Sequence, residues 1–497
     1  MFELFWHKYK YFPYERELAR REAAALSRVF DISESDTGIN LKRPLSREQV
    51  ERLVYFSGAS DGVDFYPTLQ AQIEKINGNG QNRQTTRYSA HGLHEYKGKF
   101  NPQVVRSILN VLGIPRNGKV LDPFCGSGTS LLECAHFGAS GIGTDINPLA
   151  AFIANAKLTA FRTPAATMRQ ELAAVLKRRS RIRKPLSSSS TERTEYLESW
   201  FTPPILEELD TLRRAINEAA NYARDPLLAV LSNLLRDYSL QDPEDLRIRR
   251  RKTPLPAVPI RDAFENATNS LIEKLEATQP LIDAHKAEGF ALNIDIREAD
   301  KQKVLSGHTF DCVITSPPYA TALPYIDTQR LSLVWLDFIS PSEILPLESE
   351  LIGSRELRGK GRREELRARM VNNSSSIPEE QALFCMQLQS ALTSNDGFRR
   401  HAVPLLMYRY FEQMSQAFLA VRKIVNRGIP FALIVGGNHT TLGGRKFDID
   451  TPHNLASLAE AQGWSLDERI PLQTYQRYGY HHRNAVKNES LLILRAK

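Results

Sequence analysis

Short apolar runs alternate with amphipathic segments in the first third of the chain. Residues 119–122 and 141–145 have the pattern of buried strands, and the apolar spacing of residues 102–112, 130–137 and 148–158 predicts helices. A β-α-β-α order with parallel strands is typical of a doubly wound, Rossmann-like α/β domain. We therefore expect a parallel sheet covered by helices.

The strand pattern returns after residue 286 and continues towards the C-terminus. The predicted elements are strands at 290–294 and 310–315, a helix at 410–425, a strand at 430–435, a helix at 452–462, and strands at 466–470 and 490–494. The last two strands suit a C-terminal β-hairpin. The α/β core is thus expected to be assembled from separated parts of the sequence.

The regions between and before these parts have a different pattern. Residues 1–84 are predicted to be a helical N-terminal region, with helices at 15–29 and 46–57. Arginine, glutamate and leucine at helical spacing predict mostly helical insertions. The resulting division is an N-terminal region at 1–84, core at 85–165, insertion at 166–285, core at 286–337, insertion with a flexible loop at 372–376 in 338–400, and core at 401–497.

Composition limits the class of protein. The 497 residues are 42% hydrophobic and 25% charged, which is typical of a soluble globular protein of two or three units. The four cysteines include no Cys-x-x-Cys pair, so we expect neither a disulfide framework nor a zinc site. The sequence contains no apolar run of ~18 residues and no secretory leader pattern, so a reduced cytosol and no membrane contact are expected.

Positive charge is concentrated in three clusters. The net charge is +8, and basic residues crowd segments 177–184, 246–252 and 355–369, outside the regions assigned to the core. Such clusters are either solvated faces or contacts to the phosphates of a nucleic acid. The candidate phosphate-binding residues are Arg178, Arg179, Arg249, Arg250, Arg251 and Lys252.

A glycine-containing loop joins the first predicted core strand to its helix. It reads Asp-Pro-Phe-Cys-Gly-Ser-Gly-Thr at residues 122–129. Glycines there allow a ligand to approach the backbone, and the following helix presents free amides. Asp145 ends the next strand, seventeen residues beyond Gly128, where a carboxylate suits ribose hydroxyls. The string lacks the Gly-x-Gly-x-x-Gly spacing of nicotinamide enzymes.

A second motif, Thr-Ser-Pro-Pro-Tyr at residues 315–319, directly follows another predicted strand. The two prolines fix a rigid turn and remove two backbone donors, which leaves carbonyls around Ser316 and Pro317 to accept from an amino group. Tyr319 offers a flat face on which a base can stack. A strand-ending loop with a packing tyrosine is the alternative. It is disfavoured because ligands bind at the carboxyl ends of such strands.

Together these motifs resemble those of the amino-group DNA methyltransferase superfamily, whose members act on cytosine N4 or adenine N6. Residues 94–102 resemble the family motif upstream of the cofactor loop, and the Ser-Pro-Pro-Tyr form is most typical of cytosine-N4 enzymes. The resemblance implies S-adenosylmethionine as cofactor and Ser316, Pro317, Pro318 and Tyr319 as catalytic residues. The implied cofactor-binding residues are Phe100, Asp122, Phe124, Cys125, Gly126, Ser127, Gly128, Thr129, Asp145, Asn147 and Asp300.

The resemblance also implies a mechanism and a set of partners. Carbonyl acceptors hold the amine hydrogens of a base flipped out of double-stranded DNA and stacked on Tyr319. Such a protein is accompanied by a restriction enzyme or by none. Residues 166–285 lie at the position where one class of this superfamily carries its target-recognition domain. A covalent cytosine-C5 mechanism is disfavoured because Cys125 and Cys312 lie outside the catalytic turn.

Three alternatives to a cytosine-N4 enzyme remain open at this point. Adenine N6 is a second possible target, because both amines use the same turn. A guanine-N2 methyltransferase of RNA or tRNA carries a similar cofactor loop, although its catalytic string is usually Asp-Pro-Pro-Tyr. A catalytically inactive DNA-binding module on the same fold is disfavoured by the complete catalytic turn.

Overall fold

The computed structural model describes residues 2–29, 32–77, 85–96, 98, 101–182, 191–245, 248–282, 288–320, 326–473 and 488–497. The strands are β1 (Phe2–Trp6), β2 (Ser33–Glu34), β3 (Gly38–Leu41), β4 (Phe56–Ser60), β5 (Phe65–Pro67), β6 (Lys119–Asp122), β7 (Ser140–Asp145), β8 (Gly289–Asn293), β9 (Cys312–Thr315), β10 (Pro430–Gly436), β11 (Asn438–Leu442), β12 (Arg445–Ile449), β13 (Trp464–Gln473) and β14 (Asn488–Ala496).

Helices cover most of the remaining described chain. They are α1 (Pro13–Ser27), α2 (Arg47–Arg52), α3 (Leu69–Asn77), α4 (Pro102–Val111), α5 (Thr129–Phe137), α6 (Pro148–Arg162), α7 (Ala165–Arg179), α8 (Glu192–Trp200), α9 (Pro203–Ala219), α10 (Arg224–Tyr238), α11 (Ile260–Thr278), α12 (Lys303–Ser306), α13 (Arg330–Trp335), α14 (Ile344–Glu350), α15 (Arg362–Val371), α16 (Glu379–Ser390), α17 (Phe398–His401), α18 (Val403–Ile424) and α19 (Thr451–Ala461).

Among the described residues, seven strands form the central sheet in the order β13-β14-β10-β9-β6-β7-β8. Strands β6 to β10 run parallel to one another, β14 is antiparallel to β10, and β13 and β14 pair antiparallel as a C-terminal hairpin. This is the expected Rossmann-like α/β core. The chain proceeds outward from β6 to β8 and then returns to β9 on the other side of β6, so the strand order reverses between β6 and β9.

The two faces of this sheet are covered by different elements. Leu121, Val313 and Leu433 share a core with helices α18 and α19. Their neighbours on the opposite face, including Val120 and Ile314, share a core with α4, α5 and the N-terminal region. Because strand side chains alternate between faces, these strands are apolar on both sides, as a buried parallel sheet requires.

The prediction of a mainly helical N-terminal region is wrong. In the described residues, five short strands form a second sheet in the order β2-β3-β1-β4-β5, with antiparallel pairs throughout. Of the two predicted helices, 15–29 corresponds to α1, but only Arg47–Arg52 of 46–57 is helical. In β1, buried and half-buried residues alternate with a period of two, which favours a strand over a helix.

The N-terminal region shares its core with the central sheet. Phe2, Leu4 and Leu18 belong to the same buried cluster as Leu491 and Ile493 of β14. At the edge of this contact, both terminal nitrogens of the Arg21 guanidinium donate to the Glu468 carboxylate of β13, at 2.8 and 2.9 Å. The two sheets are therefore packed together as one body.

Helices α7 to α11 fill most of the segment between α6 and β8, and they pack against α6 in a third buried cluster. The segment 338–400 contains α14 to α17. Its residues 372–376, expected to form a flexible loop, are instead held in place. The Tyr408 hydroxyl accepts from the Ser375 amide at 3.2 Å, and the Asn373 amide group donates to the Ile377 carbonyl at 2.8 Å. No helix among the described residues is long and apolar enough to cross a membrane.

Candidate active site

A cleft opens beside the carboxyl ends of β6, β7 and β9, next to the point where the strand order reverses. It contains about 790 Å³ of empty space, open solvent included. Its walls bring together the two motifs that the sequence separates by almost 200 positions. The lining residues are Tyr96, Gly98, Phe124, Cys125, Gly126, Ser127, Thr129, Asp145, Asn147, Ser316, Pro317, Pro318, Tyr319, Leu351 and Ile352.

The loop between β6 and α5 needs glycine for two different reasons. Gly126 has a φ of +49°, and a Cβ there would lie 3.1 Å from the ring of Tyr96. Gly128 has a φ of +75°, and its Cβ would lie 2.6 Å from that of Ala154 on α6. Gly126 therefore keeps the cleft open, whereas Gly128 lies behind the lining and allows α5 and α6 to approach closely.

Asp145 fixes the shape of the loop from the end of β7. Its carboxylate accepts from the Gly126 amide at 3.0 Å and from the Asn147 amide at 2.9 Å. Desolvation outweighs these two bonds and raises the pKa of Asp145 to about 6. Each carboxylate oxygen can accept more than one hydrogen bond, so Asp145 can bind hydroxyl groups in the cleft as well.

Asp122 has a different position from the one the resemblance implied. It is buried, and it does not belong to the described lining of the cleft. Its carboxylate accepts from the Phe124 amide at 3.1 Å and from the Thr315 hydroxyl at 2.6 Å. Burial raises the pKa of Asp122 to about 6. Asp122 thus links the loop at residues 122–129 to the turn at residues 315–319, and it lies outside the described lining of the cleft.

The turn after β9 is held on three sides. The Tyr319 hydroxyl donates to Glu489 of β14 at 3.1 Å, and the Tyr410 hydroxyl of α18 donates to the Pro318 carbonyl at 3.1 Å. Behind the turn, Gly353 has a φ of +79°, and a Cβ there would lie 2.5 Å from the Tyr319 carbonyl oxygen. Proline rigidity and these contacts fix the orientation of the Tyr319 ring.

Several functional positions were absent from the sequence predictions. Leu351 and Ile352 come from the segment 338–400 and line the cleft, and Glu489 comes from the last strand. No local motif marks these three residues. They reach the site only through the long-range packing of the chain. Tyr96 and Gly98 also line the cleft, and both lie within the upstream motif at residues 94–102 that the sequence had placed near the site.

Cys125 and Cys312 are both buried, and Cys125 also lines the cleft. Cys125 is buried against Gly143, where a Cβ would lie 2.6 Å from the cysteine Cβ, and Cys312 is buried inside β9. Burial raises the pKa of both thiols well above the usual range. Both thiols are therefore protonated at neutral pH.

Among the described residues, three predicted cofactor residues lie outside the cleft lining: Asp122, Gly128 and Asp300. Asp300 lies on a 3₁₀ turn after β8, outside the cleft lining, and its carboxylate pairs with Lys423 at 2.7 Å. A cofactor contact by Asp300 stays a prediction, and in this structure its carboxylate is paired with Lys423. Phe100 lies outside the described residues.

The basic candidates mostly contact other parts of the protein. Arg178 and Arg179 of α7 form ion pairs with Glu218 and Glu208 of α9, and Arg249 pairs with Asp245 at 2.9 Å. The guanidinium of Arg250 lies 4.6 Å from the Trp200 ring centroid, and Arg251 donates to the Asp237 carbonyl at 2.7 Å. Lys252 is exposed. None of them belongs to the lining of the cleft as far as the chain is described.

Comparison with known proteins gives the site its context. The family model described as DNA methylase matches residues 6–156. Type II methyltransferase M.MvaI of Kocuria varians is 26% identical over 326 residues, which cover 57% of this chain and 66% of that protein. M.MjaII of Methanocaldococcus jannaschii is 47% identical over 72 residues, or 14% of this chain and 13% of that protein.

A third relative, Type II methyltransferase M.BsoBI of Geobacillus stearothermophilus, is 24% identical over 273 residues, covering 50% of this chain and 53% of that protein. The chain thus spans less than two thirds of the length of each of these three relatives. The matched family model includes strand β6, the loop after it and Asp145. Taken with the Rossmann-like sheet, these matches support the resemblance of the chain to the amino-group DNA methyltransferase superfamily.

Proposed function

We propose that this protein transfers the methyl group of S-adenosylmethionine to the exocyclic amine of a base flipped out of double-stranded DNA. Cytosine N4 is the favoured target. The observation that carries the proposal is the shared cleft, in which Gly126 and Asp145 lie on one wall and Ser316 to Tyr319 on another. A cofactor held by the first wall would lie next to a base held by the second.

The residues of the first wall fit S-adenosylmethionine. Asp145 provides acceptors for the two ribose hydroxyls. The Thr129 hydroxyl is buried at the start of α5 and makes no hydrogen bond with any described residue, so it is available to the carboxylate of the methionine moiety. The amides at the start of a helix also favour an anion. When bound, the cofactor supplies an electrophilic methyl group on a sulfonium.

The second wall prepares the amine. The lone pair of an aromatic amine is delocalised into its ring, so the free base is a poor nucleophile. Carbonyl acceptors at Ser316 and Pro317 that hold both amine hydrogens favour a pyramidal nitrogen with a localised lone pair. The Pro318 carbonyl already accepts from Tyr410, which keeps the turn rigid while the amine is held. Positioning and preorganised dipoles thus provide the rate acceleration.

The ring of Tyr319 supports the base. An unpaired base inside the protein needs a stacking surface in place of its neighbours in the duplex. The hydrogen bond from Tyr319 to Glu489 holds the far end of this ring in place, and Leu351 and Ile352 provide an apolar wall. Serine at position 316 favours cytosine N4 over adenine N6, because the Ser-Pro-Pro-Tyr form is the one most typical of cytosine-N4 enzymes.

The test identifies the modified base directly. The purified protein is incubated with radiolabelled S-adenosylmethionine and a mixed-sequence duplex DNA, and the digested nucleosides are separated and identified by mass. We expect label on N4-methyldeoxycytidine, and loss of labelling in Tyr319→Ala. Label on N6-methyldeoxyadenosine would overturn the cytosine assignment but keep the enzyme class.

The same experiment distinguishes the remaining alternatives. Parallel reactions with total tRNA in place of DNA test for a guanine-N2 methyltransferase, which would label N2-methylguanosine. Cofactor binding by calorimetry with no labelling of either nucleic acid would indicate an inactive module. A restriction enzyme as partner belongs to the same proposal. It is tested by asking whether methylated DNA resists digestion in extracts of the source cells.

A further inference from the structure

A dense group of basic residues begins immediately beyond the wall of the cleft. Residues 355–369 contain six arginines and one lysine against three glutamates. Three of these residues, Arg358, Lys360 and Arg367, are exposed and make no hydrogen bond or ion pair with any residue of the described chain. We refer to these three as the basic rim.

The rim is attached to the part of the chain that shapes the catalytic cleft. Leu351 and Ile352 line the cleft, and Gly353 packs on the Tyr319 carbonyl. The guanidinium of Arg409 on α18 donates to the carbonyls of Ser354 and Glu356, the latter at 2.6 Å. The segment 351–356 is therefore fixed at both of its ends. Because Arg358 follows this segment closely, the start of the basic rim has a defined position beside the cleft.

A second arginine fixes the other side of the same segment. Arg297, which follows β8, donates to the Glu350 carbonyl at 3.1 Å. The segment from 350 to 356 is thus held by guanidinium groups from two different core elements. Arginine is suited to this role because its donors are rigid and always charged.

The length of the chain limits how far the rim can lie from the reacting base. Arg358 is six residues beyond Ile352, and a fully extended chain covers at most ~3.6 Å per residue, so their Cα atoms are within about 22 Å. Phosphates along one DNA strand recur about every 3.4 Å of helix axis. This limit places Arg358 within about six nucleotides of a base in the cleft, and Lys360 and Arg367 follow it along the chain.

From this arrangement we infer that the basic rim binds the phosphates of duplex DNA flanking the target base. The alternative surface, at residues 249–252, is less suited to this task because Arg249, Arg250 and Arg251 are already engaged by Asp245, Trp200 and the Asp237 carbonyl. The inference rests on the proposed DNA substrate. It assigns the contact with the DNA phosphates to the segment 338–400, whereas the sequence alone favoured the segment 166–285.

The test compares two sets of charge removals in the full-length protein. One variant carries Arg358→Ala, Lys360→Ala and Arg367→Ala, and the matched control carries Arg249→Ala, Arg250→Ala and Lys252→Ala. Binding to a mixed-sequence duplex is measured by fluorescence anisotropy at several salt concentrations, with a saturating, unreactive cofactor analogue present. Removing one phosphate-binding charge lowers the magnitude of the slope of log affinity against log salt by ~0.9.

We expect the slope to flatten by between ~0.9 and ~2.7 in the rim variant and to change little in the control. Arg358→Lys with Arg367→Lys should keep the wild-type slope, because the charges remain. Cofactor binding should be unchanged in every variant, which would show that the fold is intact.

A wild-type slope in the rim variant would overturn the inference. If only the 249–252 variant flattened the slope, the contact would belong to the first insertion. If the wild-type protein itself bound duplex DNA without salt dependence and methylated none, the proposed function would fail instead. Failure of the inference and failure of the proposed function can therefore be distinguished.

Discussion

The Thr315 hydroxyl donates a hydrogen bond of 2.6 Å to the buried carboxylate of Asp122. This bond joins the end of β9 to the end of β6, and so it fixes the catalytic turn relative to the cofactor loop. Thr315→Val keeps the shape of the side chain and removes the donor. We expect a loss of about 1–3 kcal/mol in the free energy of unfolding, because a buried acceptor is deprived of its partner.

Chemical denaturation measures this change. Thr315→Ser keeps a hydroxyl at the same position and serves as the control, with a smaller loss expected from the missing methyl group. A Thr315→Val protein with wild-type stability and activity would contradict the view that this bond couples the two motifs.

Cofactor affinity should depend on the protonation of Asp145. Burial raises its pKa to about 6, and only the ionised carboxylate can accept from both ribose hydroxyls. Affinity for S-adenosylmethionine should therefore be at its maximum above pH 7 and fall as the pH drops through about 6. Calorimetric titrations at a series of pH values measure this dependence.

The same titrations on Asp145→Asn provide the comparison. This variant should bind weakly at every pH, without the fall below pH 6. Asp122→Asn shows whether Asp122 contributes to the titration near pH 6. Asp122 has a similarly raised pKa but lies outside the cleft lining. A fall that persists unchanged in Asp145→Asn would assign the titration to another group.

The ring and the hydroxyl of Tyr319 should have separable effects. Tyr319→Ala removes the stacking surface, which is worth ~1–3 kcal/mol per base, so turnover should fall by about 5- to 150-fold or more. Tyr319→Phe keeps the ring and removes only the hydrogen bond to Glu489, so its loss should be much smaller. Single-turnover methylation rates measure both variants, and equal losses in the two would argue against stacking.

The buried thiols should be dispensable for chemistry. Cys125→Ser and Cys312→Ala should both retain methylation, since burial keeps the two thiols protonated at neutral pH. The measurement is the methylation rate of a variant that has been shown to be folded by circular dichroism. Complete inactivation of a folded variant would reopen a covalent mechanism.

Stability should depend on a buried ionic cluster on the other side of α5. The Glu133 carboxylate is fully buried and accepts from Arg106 at 2.5 Å and from Tyr88 at 2.8 Å, while the rings of His91 and His136 lie within hydrogen-bonding distance. Glu133→Gln leaves the Arg106 charge buried without its counter-charge. We expect a loss of about 3–5 kcal/mol in the free energy of unfolding.

The exposed pair of Glu298 and Lys301 gives a matched control for this prediction. Glu298→Gln removes the same kind of charge at the surface, where solvent screens the interaction, and should have little effect. Comparable losses in the two variants, measured by urea denaturation, would mean that burial of the Glu133 cluster is not the cause.

The core strands and the cofactor loop could be predicted because their information is local. In β6 and β9, an apolar run is followed at once by a distinctive turn, and both elements were found where expected. The N-terminal sheet was missed because its strands are only two to five residues long, too short for periodicity to distinguish them from helix. Glu489, Leu351 and Ile352 were missed because only tertiary packing brings them to the cleft.

The packing of the N-terminal region on β14 has a consequence for biosynthesis. Leu4 shares a buried cluster with Ile493, and Arg21 pairs with Glu468, so the core around β1 is completed by residues more than 400 positions later in the chain. Contacts that are so distant in the sequence form slowly and leave apolar surface exposed in the meantime. The apolar face of the N-terminal region therefore stays uncovered during synthesis until the β13–β14 hairpin has been made.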